Sequence, residues 1–317
     1  MHDRYCLSSL LVLGQEMSRG YKIMAFVKIN ESILREAMDN RRLMDDSGVK
    51  TGYIDLDYML GGFNRGETYL LAGYPGIGKT TFALNLVEKI GVQDKGNVAY
   101  FAFDTGKKRI LLNLIQLVAK TDCLADETSE VINSTIGKLM EKGIYIEDDY
   151  CMDSDEIIIR CKDLKVSFDL IIVDDLEAPF NLMKKELSKE CDFLSNMHIL
   201  ANELNCPVLI LSRAELKKKK KEKQDTTPDL YNLKNPKIKH YVDNILILHR
   251  DDYFDNQSEM RGIVEIIVPQ NKSGNRGVVR LVWLPKYLRF SSIDDTNIKT
   301  NYVYKNGKTF KRCQLNG

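Results

Sequence analysis

The sequence predicts an α/β fold, a central and mostly parallel sheet flanked by helices and completed by a C-terminal antiparallel hairpin. Three observations predict it. Gly73-Tyr74-Pro75-Gly76-Ile77-Gly78-Lys79-Thr80, with Thr81 behind it, fills every position of the phosphate-loop pattern G-x-x-x-x-G-K-[ST]. The apolar run Tyr69 to Ala72 reads as a buried strand entering that loop, and Lys79 to Ile90, apolar at Phe82, Ala83, Leu86, Val87 and Ile90, reads as a helix leaving it. Downstream, strand-like runs alternate with helical periods, which implies right-handed crossovers and a parallel sheet buried on both faces.

The loop residues divide the chemistry among them. Gly73, Gly76 and Gly78 remove Cβ atoms where backbone N–H groups must turn inward around a phosphate, and the helix N-terminus adds positive partial charge. Lys79 reaches the β/γ oxygens of a triphosphate, Thr80 offers a hydroxyl to Mg²⁺, and Thr81 supports the α-phosphate.

Composition excludes several classes. At 317 residues and 44% hydrophobic, the chain is long enough for one large α/β domain with short appendages. A formal net charge of +1 points to no partner, so charge must be read locally. Seven cysteines with no C-x-x-C pair fit free thiols in a reducing compartment better than a disulfide framework or a zinc site. The early apolar run Leu10 to Leu13 is too short for a signal peptide, and no stretch approaches the roughly 20 apolar residues a spanning helix needs. The expectation is a soluble cytoplasmic protein without a membrane partner.

Residues 1–48 form an N-terminal segment in which Met24 is a candidate natural start. A helix is expected over about 30–44, apolar at Ile33, Leu34, Ala37 and Met38. Residues 49–292 form the main domain. Val98 to Phe103 reads as a strand ending at Asp104, followed by helices over Lys107 to Lys120 and Ser129 to Lys142, a strand over Ile144 to Ile146 and a helix over Asp155 to Lys165. Phe168 to Asp175 places Asp174 at the carboxyl end of a central strand, where its carboxylate can hold a water of Mg²⁺. An amphipathic helix over Asn181 to Leu204 delivers the chain to the strand Pro207 to Leu211, which closes in Ser212-Arg213.

The segment from Arg213 to Lys239 carries ten basic residues against four acids, a local net of +6. Its lysines Lys217, Lys218, Lys219, Lys220, Lys221, Lys234 and Lys237 fit a phosphate backbone, although a solvated face has the same composition. Strands follow over Asn244 to Leu248, Gly262 to Val268 and Val278 to Leu284, the last two joined by the turn-rich Asn271 to Gly277. Residues 293–317 are polar, show no fold signal and read as a flexible or docking tail.

The lead-in Thr51-Gly52-Tyr53-Ile54-Asp55-Leu56-Asp57-Tyr58-Met59-Leu60-Gly61-Gly62 fits T-G-x-x-x-L-D-x-x-x-G-G, and with the strand and loop behind it resembles the RecA-like P-loop NTPases of the DnaB and RadA type. Val98 to Asp104 is similar to the V-A-F-F-S-L-E segment of DnaB-type helicases, Ile171 to Glu177 to I-I-V-D-Y-L-Q, and Pro228 to Lys234 to P-M-L-S-D-L-R. Leu248-His249-Arg250-Asp251-Asp252-Tyr253 is similar to L-Y-R-D-E-Y, and Tyr287-Leu288-Arg289-Phe290 to Y-T-R-F. The resemblance runs from Thr51 to Phe290 and is to the C-terminal motor domain of that family, without its N-terminal domain. RadA-type proteins share the Pro75 to Lys79 wording, but their K-N-R-F-G signature is absent here.

The resemblance implies a homo-hexameric ring that hydrolyses ATP with Mg²⁺ at subunit interfaces and moves on single-stranded DNA, in a bacterial or phage-infected cell, with a primase or a helicase loader as candidate partner. It implies Lys79, Thr80 and Asp174 at the magnesium triphosphate, and Asp104, in place of the family's glutamate, as the acid that polarises water. Lys272 or Arg276 is the cation that acts on the neighbouring subunit, where the family's K-Q-R-N-G becomes Gln270-Asn271-Lys272-Ser273-Gly274. Arg250 and Tyr287 are candidates to flank the base, and where the family has S-Q after a strand, its glutamine sensing the γ-phosphate, this chain has Ser212-Arg213 and lacks that glutamine. Asp175 and Glu177 are carboxylates beside the site that stand as substitutes for the water-activating acid. The competing expectations are a weakly hydrolysing ATP-binding assembly or loader protein and a RadA-like recombination ATPase.

Overall fold

The computed structural model describes residues 48–120, 130–150, 152–177, 187–214, 230, 233, 235–272, 274–293, 300–305 and 308–313, together with Glu31 and Arg35. The chain divides into two units, Met1–Leu43 and Met44–Gly317. In the first, Glu31 and Arg35 are helical and pair across one turn at 2.6 Å, the i to i+4 spacing of the helix expected over 30–44.

The second unit opens with a short helix, α1 (Ile54–Leu60), which explains the glycine-bracketed lead-in. Asp57 folds its carboxylate back onto the Thr51 N–H at 2.7 Å, the Thr51 hydroxyl at 2.8 Å and the Gly52 N–H at 3.2 Å. Gly61 ends the helix in the left-handed conformation, φ 77°, and a Cβ on Gly62 would meet the Val49 carbonyl oxygen at 2.9 Å.

Strand β1 (Thr68–Gly73) is buried along its length and runs into the loop that begins α2 (Lys79–Leu86). The predicted helix continues as a π-helix, Val87–Gln93. That widened turn carries the buried Glu88, whose Oε1 accepts from Arg289 Nη2 at 3.2 Å. There follow β2 (Val98–Ala102), α3 (Lys107–Ala119), α4 (Glu130–Met140), β3 (Ile144–Glu147), α5 (Ser154–Asp163), β4 (Leu170–Asp174), α6 (Leu187–Leu204) and β5 (Val208–Arg213). Asp153 and Glu156 close a reciprocal capping box on α5. A 3-10 turn, Pro236–His240, precedes β6 (Asn244–His249), and the four-residue helix α7 (Asp251–Phe254) precedes β7 (Ile263–Gln270) and β8 (Gly277–Leu284). Strand β9 (Arg289–Ser292) follows, and the tail, which carries no fold signal in the sequence, pairs β10 (Thr300–Lys305) with β11 (Lys308–Cys313) as a separate hairpin.

Among the described residues the main sheet has nine strands in the order β3-β2-β4-β5-β1-β6-β7-β8-β9. The first six are parallel and the last three add antiparallel to β6. Alternation along the buried strands splits the core in two. Tyr69, Leu71, Leu209 and Leu211 face Phe82, Leu86, Ile110 and Leu114, whereas Leu70, Ala72, Val208 and Ile210 face Ile157, Leu194, Met197 and Ala201. The sheet is therefore covered on both faces, as near-continuous apolar strands require. No helix among the described residues is long and apolar enough to cross a membrane.

Strand β9 braces α2. The buried Asn85 donates to the Leu288 carbonyl at 2.8 Å and accepts from the Phe290 N–H at 2.9 Å, while the Phe290 ring packs edge-on to Phe82 at 5.7 Å. An unmade buried hydrogen bond costs about 1–3 kcal/mol, so this one side chain ties residues 203 and 205 positions away to the helix behind the loop.

Candidate active site

The carboxyl ends of β1, β2, β4, β5 and β6 lie along one edge of the parallel sheet, where open α/β sheets bind ligands. The Gly73 to Thr80 loop occupies the middle of that edge. Gly76 and Gly78 have φ of 76° and 116°, and Gly78 is the N-cap of α2, so its amides lead into the helix N-terminus. Gly73 serves differently: a Cβ there would meet Ile77 Cγ2 at 2.9 Å and the Leu248 carbonyl oxygen at 3.1 Å, so its bareness lets the loop close onto β6. Ile77 is the loop's buried anchor.

Lys79 Nζ donates to the carbonyls of Gly73 at 2.9 Å and Tyr74 at 3.2 Å. Burial lowers its affinity for a proton, and the charges of Asp175, Glu177 and Asp174 oppose that. The exposed Pro75 offers its carbonyl to the Tyr253 hydroxyl at 2.8 Å, so α7 props the outer side of the loop. The Thr81 carbonyl accepts from Asn85 Nδ2 at 2.8 Å.

Asp174 is buried at the end of β4, with its Oδ2 on the Tyr100 hydroxyl at 2.6 Å and its carboxyl also bonded to the Thr80 side chain. Burial pushes it up to about 6 despite those two bonds. Two hard oxygens side by side at the mouth of a phosphate loop fit a Mg²⁺ that takes its remaining ligands from phosphate and water. No cluster of three acidic, histidine or cysteine side chains able to hold a metal exists among the described residues.

Asp104, two residues past β2, has an exposed side chain. Asp175 and Glu177, the substitutes the sequence offered for the water-activating acid, are buried, and each is held by hydrogen bonds. Arg213 Nε and Nη2 both reach Asp175 Oδ2, at 2.8 and 2.6 Å, and Nη2 stands 3.6 Å from Asp104. Glu177 Oε1 accepts from the Ser212 hydroxyl at 2.6 Å and the Arg213 N–H at 2.9 Å. Burial raises Asp175, but its bonds with Glu177 and the Arg213 guanidinium outweigh that and hold it below the usual carboxylate range. Burial, then the hydrogen bond and charge of Asp175, push Glu177 up to about 8.

The Glu177 shift has a sign that can be tested. Its carboxyl binds a proton more tightly folded than unfolded, so the stability it contributes is full below the unfolded value near 4.5 and is lost as pH rises through about 8. Glu177→Gln keeps the acceptor for Ser212 and Arg213 and cannot ionise. In thermal unfolding without nucleotide, the variant is expected to gain on the wild type as pH rises from 5 to 8.5; parallel curves would contradict a buried, proton-holding Glu177.

The other sequence candidates lie elsewhere. Register pairs Gln270 with Ile245, near the start of β6, so the β7–β8 turn stands at the amino end of the parallel strands, opposite the loop. A six-residue strand puts roughly 17 Å between those edges. Lys272 there pairs with Asp243 at 3.0 Å, its N–H donates to Asn244 Oδ1 at 2.9 Å, and Arg276 is exposed. Arg250 follows β6 on the loop edge, bound to Asp252 at 3.1 Å and lying 5.7 Å from the Trp283 ring. Tyr287 closes the 3-10 turn before β9, with Lys286 Nζ 5.5 Å from its ring. Lys237 is exposed on the Pro236–His240 turn, whereas Lys217 to Lys221 and Lys234 lie outside the described residues.

Tyr100 and Tyr253 escaped sequence reasoning. A lone hydroxyl in the otherwise apolar Val98–Ala102 is a signal for the first, because a buried tyrosine seeks a partner. The second closes the Leu248 to Tyr253 run that is similar to L-Y-R-D-E-Y, but nothing in that run points to Pro75.

Residues 48–292 match the family described as "DnaB-like helicase C terminal domain". The replicative DNA helicase DnaB of Geobacillus stearothermophilus is 28% identical over 288 residues, which are 85% of this chain and 63% of that protein. The replicative DNA helicase DnaC of Bacillus subtilis (strain 168) is 28% identical over 297 residues, 88% of this chain and 65% of that one. The chain thus spans less than two thirds of these relatives. Among solved structures, a DnaB-like replicative helicase described with its interactions with primase superposes with a TM-score of 0.74 at 24% identity, covering 84% of this chain and 68% of that one. A structure described as an ATPase domain gives 0.73 at 24%, covering 85% of this chain and all of that one. The RadB recombinase gives 0.53 at 16%, covering 77% of this chain and 99% of that one. These likenesses show a shared RecA-type fold.

Proposed function

We propose, from the premise that the chain belongs to the family of DnaB-like helicase C-terminal domains, that it is the ATP-hydrolysing motor of a replicative DNA helicase, working as a homo-hexameric ring on single-stranded DNA. One observation carries the chemistry: Asp174 and Thr80 are joined at the mouth of the loop whose lysine is Lys79. In this reading the loop amides and Lys79 bind the β- and γ-phosphates, with Lys79 exchanging the Gly73 and Tyr74 carbonyls for phosphate oxygens. Thr80 and Asp174 are the residues that would hold a Mg²⁺, which would supply positive charge at the phosphates. Asp104 takes the proton of the attacking water as its oxygen bonds to Pγ and the bond from Pγ to the bridging oxygen breaks, leaving ADP and phosphate. Lys272 and Arg276, remote from the loop of their own chain, serve the loop of a neighbour. Arg250 and Tyr287 flank the base side.

The relatives' names and the neighbour's interactions with primase support a role at a bacterial or phage replication fork, in the cytoplasm, with a primase or loader as partner. Asp104, one methylene shorter than the family's glutamate and within reach of Arg213, favours a second reading, an ATP-dependent assembly protein that hydrolyses slowly. Phosphate release measured with and without single-stranded DNA separates the two. A motor is expected to be stimulated at least about tenfold and to lose that stimulation as salt rises; a slow, DNA-indifferent rate supports the assembly protein.

A further inference from the structure

The turn Pro236–His240 carries Lys237, Lys239 and His240 and is fastened at both ends. At its front, the buried Asn235 accepts from the Lys237 N–H at 3.2 Å and donates to Oε2 of the buried Glu190, on α6, at 3.1 Å. Ile238 pins its middle in the core, while Lys237 is exposed. At its back stands Gln270, the last residue of β7, where the motif K-Q-R-N-G begins with a lysine. Its amide donates to the carbonyls of Val242 at 2.9 Å and Lys239 at 3.1 Å, with that of Asp243 at 3.4 Å sharing the two hydrogens. Two residues on, the Lys272 N–H donates to Asn244 Oδ1 at 2.9 Å and its ammonium pairs with Asp243 at 3.0 Å. Residues 239–244 thus end the basic turn and at the same time carry the β7–β8 turn.

We propose that Gln270 is a positioning residue that joins the basic turn to the β7–β8 turn, so that a single-stranded nucleic acid held by its phosphates at Lys237 sets the place of Lys272 and Arg276. The link rests on the motor reading above and goes beyond it. Gln270 is neutral, and its amide hydrogens go to backbone carbonyls, so it offers a phosphate no charge and serves instead as a tie. Asn235, Ile238 and Gln270 together hold the backbone beneath Lys237 still. A phosphate captured there meets a cation whose place is already fixed, and it pulls on a hydrogen-bonded body that includes the β7–β8 turn. Removing the amide takes a donor from three carbonyls and lets the basic turn shift without carrying Lys272 and Arg276 along. The plainer alternative is that Gln270 only closes the start of β6 as part of the fold.

The test is a double-mutant cycle on ATP turnover, with and without saturating single-stranded DNA, in wild type, Gln270→Met, Lys237→Gln and the double variant. Methionine keeps the length of the side chain and removes both donors. The stimulation, the ratio of the two rates, is expected to fall about fivefold in Gln270→Met, the size of a coupling between groups in one hydrogen-bonded network. Lys237→Gln is expected to lower the stimulation as well and to reduce the salt slope of DNA binding by about one. In the double variant the second substitution should cost no further stimulation, because the contact at Lys237 no longer reaches the β7–β8 turn, although the salt slope still falls. Stimulation that survives Gln270→Met, or losses that multiply in the double variant, overturn the link and leave Gln270 a residue of the fold. Should Gln270→Met melt below the assay temperature, Lys237→Gln decides by itself: full stimulation at saturating DNA overturns the link. A wild type that DNA does not stimulate sinks the motor reading, and the link with it.

Discussion

Replacing Lys79 with alanine is expected to lower ATP turnover by about 10³-fold, the scale on which a single preorganised charge at a reacting phosphate acts. The side chain now bridges the Gly73 and Tyr74 carbonyls from a largely buried position, so its ammonium is already desolvated and aimed before any ligand arrives. Desolvation is what makes the charge effective, since the same ammonium in water would interact far more weakly. Removing it leaves two carbonyls at the loop without that donor, which is why circular dichroism must accompany the kinetics. Phosphate release with nucleotide titration checks the result. Turnover within threefold of wild type, in a folded protein, would remove the loop from the chemistry.

Arg276→Ala is expected to abolish turnover almost as completely, by roughly 10³-fold, while the isolated chain still binds ATP. The reason is position. The β7–β8 turn lies at the opposite edge of the sheet from the loop, so no rotamer of Arg276 reaches a nucleotide in its own chain. Lys272→Ala is expected to cost less in rate and some stability, because its ammonium is committed to Asp243 and its backbone to Asn244. Mixing Lys79→Ala chains with Arg276→Ala chains provides the decisive measurement. An interface pairing the intact loop of one with the intact hairpin of the other should restore part of the rate. If equimolar mixing recovers nothing although mixed oligomers form, the hairpin does not act between subunits.

The fold was legible wherever the signal is local. Tyr69 to Ala72 and Phe168 to Asp175 are continuous apolar runs, which a strand buried on both faces must be, and both become central strands. The helices after them follow a 3.6-residue period. Boundaries moved where tertiary contacts decide them: the phosphate-loop helix passes into a π-helix that carries Glu88 to Arg289, and Ile54 to Leu60 is helical through the grip of Asp57 on Thr51 and Gly52. The site was legible in its nucleus and not in its supports. The spacing of Lys79 and Thr80 advertises a loop, whereas the run from Leu248 to Tyr253 stands out in the sequence without revealing that Tyr253 reaches Pro75 across 178 residues. Asp175 and Glu177, open as water-activating acids on sequence grounds, proved to be committed to Arg213 and Ser212.

By itself the sequence determined the strand, loop and helix of the phosphate motif, the parallel character of the sheet and the acid at the end of β4, because each is written in residues a few positions apart. Only the tertiary structure decided which side chains meet at the sheet edge. With β5 between β4 and β1, Arg213 falls beside Gly73 and within reach of Asp175 and Asp104, while the antiparallel turn is carried to the far edge. Strand order and register are set by how whole faces bury their apolar area together, and no short window of sequence contains that sum.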